Sequence, residues 1–270
     1  MTMHPLDTAI ELKAAGTGRF TGATSPAYAN MVGPFGGITS SLLLNAVLQH
    51  PHSAGVPIAL TVNFAAPIED GAIELAARAA RVNRSTQHWI VEASQDGLVV
   101  ALATAVLAER RATWSAPQAS APQNLPAPHE LKRLSTAGLP AWTRCYDMRV
   151  IGGGLAAGLD GQEQAGSASC LWVRDDPPRP VDFLSLAAVC DSFFPRIFIR
   201  RRRLMPVGTV SLTTYFHADE ALLVAQADNY MLGVADALAF RNGFFDQSAQ
   251  IWSSNGELMA SAHQIVYFRD

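Results

Sequence analysis

The chain has 270 residues, 49% of them apolar and 16% charged, with a formal net charge of −3 at pH 7. That length accommodates two domains of ordinary size, each with its own core, and the slightly acidic balance excludes general nucleic-acid binding, which needs a broad basic surface. Cys145, Cys170 and Cys190 form no Cys-x-x-Cys or Cys/His ligand spacing, which predicts a reducing compartment, no structural zinc and no bound metal.

The opening Met1-Thr2-Met3-His4-Pro5-Leu6-Asp7 lacks the basic and apolar regions of a signal peptide. The longest apolar run, Leu98 to Ala108 with Thr104 inside it, is too short to cross a bilayer and reads as a buried strand. A cytoplasmic protein without membrane insertion is expected.

Gly33-Pro34-Phe35-Gly36-Gly37 is a turn that opens into a helix over residues 38–49, where Leu42, Leu43, Ala46 and Val47 recur at helical spacing before Pro51. Strands are predicted at 58–64, 72–82 and 88–95, then at 98–109 after an Asp96-Gly97 hairpin turn. Residues 113–140, rich in Pro, Ala and Ser, lack periodicity and read as a connector between a domain over 1–112 and another over 141–270. The second domain is predicted to hold strands at 143–151 and 166–173. A helix follows over 182–194, with Asp182 as N-cap and Pro195 as stop, and strands over 209–217, 222–230, 243–252 and 257–268.

The second domain repeats the first. Leu60-Thr61-Val62-Asn63-Phe64-Ala65 returns as Leu212-Thr213-Thr214-Tyr215-Phe216-His217, a step of 152 residues (212 − 60). The turn and strand at 94–101 return at 253–260, a step of 159 (256 − 97, between Gly97 and Gly256). One helix followed by a meander of long strands was duplicated.

That unit, occurring twice, resembles the hotdog fold in its fused double form, and the sequence resembles the acyl-CoA thioesterase II family of the thioesterase-like superfamily. The resemblance is carried by Phe35-Gly36-Gly37 at the first helix entry, by residues 209–217 ending in Tyr215-Phe216-His217, and by residues 256–264. It implies an α+β double hotdog with two long antiparallel sheets, each wrapped around a central helix. It implies hydrolysis of an acyl-CoA to a free acid and coenzyme A, a small-molecule substrate with no separate cofactor. It also implies a homodimer or higher homo-oligomer.

Asp191, Thr209 and Gln264 fall where that family keeps a water-activating trio. Asp191 lies among Leu186, Ala187, Ala188, Val189, Cys190 and Phe193, where a carboxylate is costly unless exposed, paired or useful. Alternation places Gln264 with Ala260, Ala262 and Val266 on the apolar face of its strand, where an amide must find partners or line a cavity. Thr209 alternates with Ser211 and Thr213 and by itself reads as scaffold. The repeat sets Thr209 opposite Pro57, Gln264 opposite Ala105 and Asp191 near Asn45, so the first copy cannot assemble the same group and one site per chain is expected.

Phe35, Gly36 and Gly37 read either as a tight turn or as a substrate contact whose helix-start N–H groups meet a thioester oxyanion. In the Arg200-Arg201-Arg202-Arg203 run, Arg201 and Arg202 are candidates for the coenzyme A phosphates, the other reading being a solvated basic loop or a subunit contact. No Gly-x-Ser-x-Gly elbow is present, and neither predicted central helix carries a His for dehydratase chemistry. The alternative from another class is a non-catalytic protein that binds or senses acyl-CoA.

Overall fold

A computed structural model of the chain describes residues 3–155 and 158–270; Met1 and Thr2 of the expected first domain, and Ala156 and Ala157 of the second, lie outside the described residues. A short helix α1 (Pro5–Ala9) and two strands, β1 (Lys13–Ala14) and β2 (Arg19–Ala23), precede the repeat unit, each too short for a period to reveal. Helix α2 (Gly36–Leu48) and the strands β3 (Val56–Phe64), β4 (Ala72–Val82), β5 (Thr86–Gln95) and β6 (Leu98–Ala108) follow as the spacing predicts. α2 is buried along most of its length, and its hydroxyls turn inward: Ser40 donates to the Gly36 carbonyl at 3.0 Å and Ser41 to that of Gly37 at 3.1 Å. A helix enclosed by sheet has no wet face, so its few polar groups are satisfied by backbone carbonyls, its own and those of neighbouring segments, Ser41 donating also to the Leu184 carbonyl at 2.6 Å.

The second half comprises β7 (Tyr146–Gly152), β8 (Ser169–Asp175), α3 (Phe183–Val189), α4 (Arg196–Arg201), β9 (Val207–Phe216), α5 (Glu220–Gln226), β10 (Met231–Asp236), β11 (Phe240–Arg241), β12 (Phe244–Trp252) and β13 (Leu258–Phe268). Three expectations are corrected here. The helix over 182–194 stops at Val189, and a separate helix begins after Pro195, whose fixed geometry suits a helix entry. The strand over 222–230 is instead helix α5, capped by Asp219 accepting from the Leu222 N–H at 2.8 Å, and the strand of this region is β10. Asp219-Glu220 is a helix start that competes with the apolar alternation beyond it. Residues 141–145 form a 3-10 turn before β7 rather than the start of a strand.

The double hotdog is present with one difference from two separate sheets: among the described residues the strands form a single 13-stranded sheet, continuous through an antiparallel pairing of β3 with β9. Thr61 lies opposite Thr213, and their hydroxyls meet at 3.0 Å. These residues are also 152 apart, the step of the repeat, so equivalent positions meet at a pseudo-twofold axis. The join removes one exposed edge from each half. α2 packs on α3 inside the sheet, and one apolar core runs through both halves. The connector is mostly exposed but anchored at points along its length: the Leu134 N–H donates to the Met148 carbonyl at 2.7 Å, and Ala121 is buried against Leu232 and Trp252. Among the described residues no helix is long and apolar enough to cross a membrane.

Candidate active site

The end of α3 meets the start of α2, and this contact builds the site. Asp191 sits in the turn after α3, where its N–H donates to the Ala188 carbonyl at 3.1 Å. Its carboxylate faces the first turn of α2, where N–H groups lack intrahelical acceptors and the helix dipole favours an anion. The glycines there answer to that packing. A Cβ at Gly36 would stand 2.7 Å from Asp191 Oδ2, and one at Gly37 would stand 2.4 Å from the Ala188 carbonyl oxygen.

Gln264 Nε2 donates to Asp191 Oδ1 at 2.6 Å, and Thr209 Oγ1 donates to Gln264 Oε1 at 3.3 Å. The structure therefore joins the three sequence-predicted residues in one hydrogen-bonded chain. Gln264 is 2% exposed and faces inward, as strand alternation requires. Thr209 faces the same way for a reason alternation cannot supply. A β-bulge between Ile265 and Val266 leaves Val210 unpaired, so Val266 pairs with Thr209 while Ile265 pairs with Ser211. The extra residue reverses the facing of the strand end, which turns Thr209 in and leaves Val210 exposed. The first half has the matching bulge beside Pro57, and there Leu60 pairs with Ala105 just as Leu212 pairs with Gln264. The scaffold is duplicated and the polar groups are not. Asn45 meanwhile donates its amide to the Ile10 carbonyl at 2.8 Å and holds the N-terminal segment.

Burial pushes the Asp191 carboxyl up to about 7, against hydrogen bonds from Gln264 and the Gly37 backbone that favour its charge. A carboxylate half ionised near neutrality can take a proton from water and return it. The trio opens on a cavity of about 770 Å³. Phe64, Phe193, Phe194 and Phe198 give it apolar walls, with Leu139 and Trp142 supplied from the connector side. Phe35 and Gly36 also line it, Phe35 stacking on Trp142 with ring centres 4.4 Å apart. Such a space suits an apolar chain ending at a few polar groups.

Arg201 and Arg202 are not brought to this cavity. Arg201 pairs with Asp270 at 3.2 Å and Arg202 with Asp160 at 2.9 Å, while Arg200 pairs with Glu163 at 2.9 Å. Acidic residues from distant segments meet the run, so these guanidiniums are engaged in ion pairs at the protein surface. Two further polar residues belong to the site. Gln247 lines the cavity, and the wholly buried Arg196 donates to it at 3.3 Å. The signal for Gln247 is the one that singles out Gln264: alternation with Phe245, Ala249 and Ile251 on the apolar face of β12.

The sequence matches the acyl-CoA thioesterase N-terminal domain over residues 25–108 and the acyl-CoA thioesterase C-terminal domain over residues 116–268. A hot dog fold protein of unknown function from Alicyclobacillus acidocaldarius is 42% identical, with 100% of this chain and 99% of that one covered and a TM-score of 0.94. An acyl-CoA thioesterase II from Mycobacterium marinum shares the fold at 19% identity, with 98% of each chain covered and a TM-score of 0.78. The tesB protein of Mycobacterium avium subs paratuberculosis does so at 18% identity, with 98% of each chain covered and a TM-score of 0.79. No curated protein matches the chain. With both halves matched in order and over most of its length, the chain belongs to the acyl-CoA thioesterase family.

Proposed function

We propose that this chain hydrolyses an acyl-CoA to a free acid and coenzyme A, using a water activated by Asp191, Thr209 and Gln264. The observation that carries this reading is the Thr209–Gln264–Asp191 hydrogen-bonded chain at the wall of an apolar cavity. Gln264 holds one carboxylate oxygen, which leaves Oδ2, on the Gly36 side, to accept a proton from water. Thr209 donates its own proton to Gln264, so its oxygen lone pairs can accept from the same water. The water oxygen then attacks the thioester carbon. The carbonyl electron pair moves to oxygen, and Asp191 receives the water proton. On collapse the C=O bond re-forms and the C–S bond breaks. The coenzyme A thiolate departs and is reprotonated by Asp191. A thiolate is a good leaving group, so this route uses protein groups and water with no separate cofactor. The N–H at Gly36, the first residue of α2, is the candidate donor to the oxyanion, while that of Gly37 serves the Asp191 carboxylate.

The experiment is a free-thiol assay with a panel of acyl-CoAs on wild type and Asp191→Ala. Coenzyme A release that falls by about 10²-fold or more in the variant is the expected result. Tight acyl-CoA binding without release in the wild type would overturn the hydrolase in favour of the sensing protein.

A further inference from the structure

Gln247 on β12 lies directly across from Gln264 on β13, so the two amides project from neighbouring positions on the same inner face. Both are buried, and both line the cavity. They differ in what they hold. Gln264 is engaged at both ends of its amide, by Asp191 and by Thr209. Gln247 is engaged at one end: its Oε1 accepts from Arg196 Nε at 3.3 Å.

Arg196 fixes which way that amide points. A guanidinium only donates, so the atom facing it must be the amide oxygen, and Nε2 is turned the other way. Among the described residues Nε2 makes no hydrogen bond, and the side chain that carries it lines the cavity, so Nε2 is the amide atom left to face that space. An unoccupied amide donor in an apolar cavity beside a general base is suited to one thing in an acyl substrate, the carbonyl oxygen.

Behind it stands a charge. Arg196 is 1% exposed and is held by neutral groups, with Nη1 donating to the Ser169 hydroxyl at 2.5 Å and to the Ser167 carbonyl at 2.9 Å. Nη2 donates to the Phe194 carbonyl. Burial lowers its pKa to about 10, so it remains a cation at neutral pH, and Asp236 supports that charge from a distance. A cation at low dielectric polarises the amide hydrogen-bonded to it and makes the far N–H a stronger donor.

Resting on the thioesterase reading above, we infer that Gln247 is a further catalytic residue, donating from Nε2 to the thioester carbonyl oxygen and to the oxyanion it becomes, with Arg196 as its positioning residue. Gln247 transfers no proton. It stabilises the negative oxygen while the C–O electron pair resides there, and releases it when the pair returns and the C–S bond breaks.

The test compares wild type, Gln247→Met and Gln247→Glu on the acyl-CoA that wild type hydrolyses fastest. Glu keeps an acceptor for Arg196 and so preserves the buried cation if Met disturbs the fold. Both variants are expected to lose kcat by about 10²-fold, with KM within about threefold of wild type. The second readout is the infrared band of a 13C-labelled thioester carbonyl bound to Asp191→Asn. The band is expected to sit lower in that protein than in Asp191→Asn/Gln247→Met, because a donor to the oxygen weakens the C=O bond. Unchanged kcat in either folded variant, or the same band position with and without Gln247, overturns the assignment while leaving the thioesterase intact. A wild type that releases no coenzyme A from any acyl-CoA overturns both.

Discussion

Gly36 and Asp191, one at the first position of α2 and the other just beyond α3, approach so closely that a Cβ on the glycine would stand 2.7 Å from Oδ2 of the carboxylate. The carboxylate oxygen of the proposed base that Gln264 does not hold is therefore placed in space that only a glycine leaves open. The helix start needs that anion as much as the anion needs the space, because exposed N–H groups and a buried carboxylate each lack a partner alone.

Gly36→Ala is accordingly expected to act on catalysis and Gly37→Ala on the fold. At Gly36 the new methyl meets the end of a side chain, which can turn aside; turnover should fall about tenfold or more at nearly unchanged melting temperature. At Gly37 it meets the Ala188 backbone at 2.4 Å and the Phe35 ring at 2.5 Å, so α2 and α3 must separate, at a cost of about 1–3 kcal/mol. Thermal melts beside steady-state rates distinguish the two.

Activity should rise with pH as Asp191 ionises, with a midpoint in kcat/KM near the raised value of about 7. Burial is the main cause of that elevation, and Phe64 lines the same cavity and flanks Gly36 together with the carboxylate. Phe64→Ala admits water to the carboxylate and is expected to move the midpoint down. A pH–rate profile that stays in place or moves up in this variant contradicts the burial argument.

The same burial sets a stability cost with a defined sign. The folded pKa of Asp191 lies above its unfolded value of 3.8, so its contribution is most favourable below about pH 4 and is lost as pH rises through about 7. Asp191→Asn removes the charge and keeps an oxygen for Gln264. It is expected to be more stable than wild type at pH 8, on the order of a few kcal/mol, and to lose that advantage towards pH 4. Denaturant midpoints at the two pH values measure it, and an advantage that grows towards acid refutes it.

Thr209 can be probed through its hydroxyl alone. Thr209→Ser preserves the bond to Gln264 and should retain most turnover, whereas Thr209→Val keeps the shape and loses both the bond and the proposed water contact. Val is expected to reduce kcat about tenfold with little change in KM. Equal rates for Ser and Val would remove Thr209 from the water site.

Much of the architecture was written along the chain. α2 and the strands β3 to β6 follow from their periods, the duplication from matched segments, and the inward face of Gln264 from simple alternation. α5 was not legible as a helix, because Leu222 and Leu223 satisfy a strand pattern as well as a helical one and the Asp219 cap alone separates them. Gln247 was legible by the rule that found Gln264, but the rule marks only a face. What an inward amide bonds to depends on Arg196, 51 residues away.

The sequence by itself determined two similar halves, one of them carrying a carboxylate, a hydroxyl and an amide that the other lacks. Those properties are local, recorded in spacing and in comparison of one copy with the next. Tertiary structure decided that the three would meet. It broke the helix before Asp191, turned Thr209 inward through a bulge set by pairing with β13, and joined the halves through β3 and β9. Gln264 is 73 residues from Asp191 and 55 from Thr209, distances over which no local period carries information. Only the closing of the sheet around two packed helix ends brings such residues within hydrogen-bond reach and gives the burial that raises the pKa of Asp191.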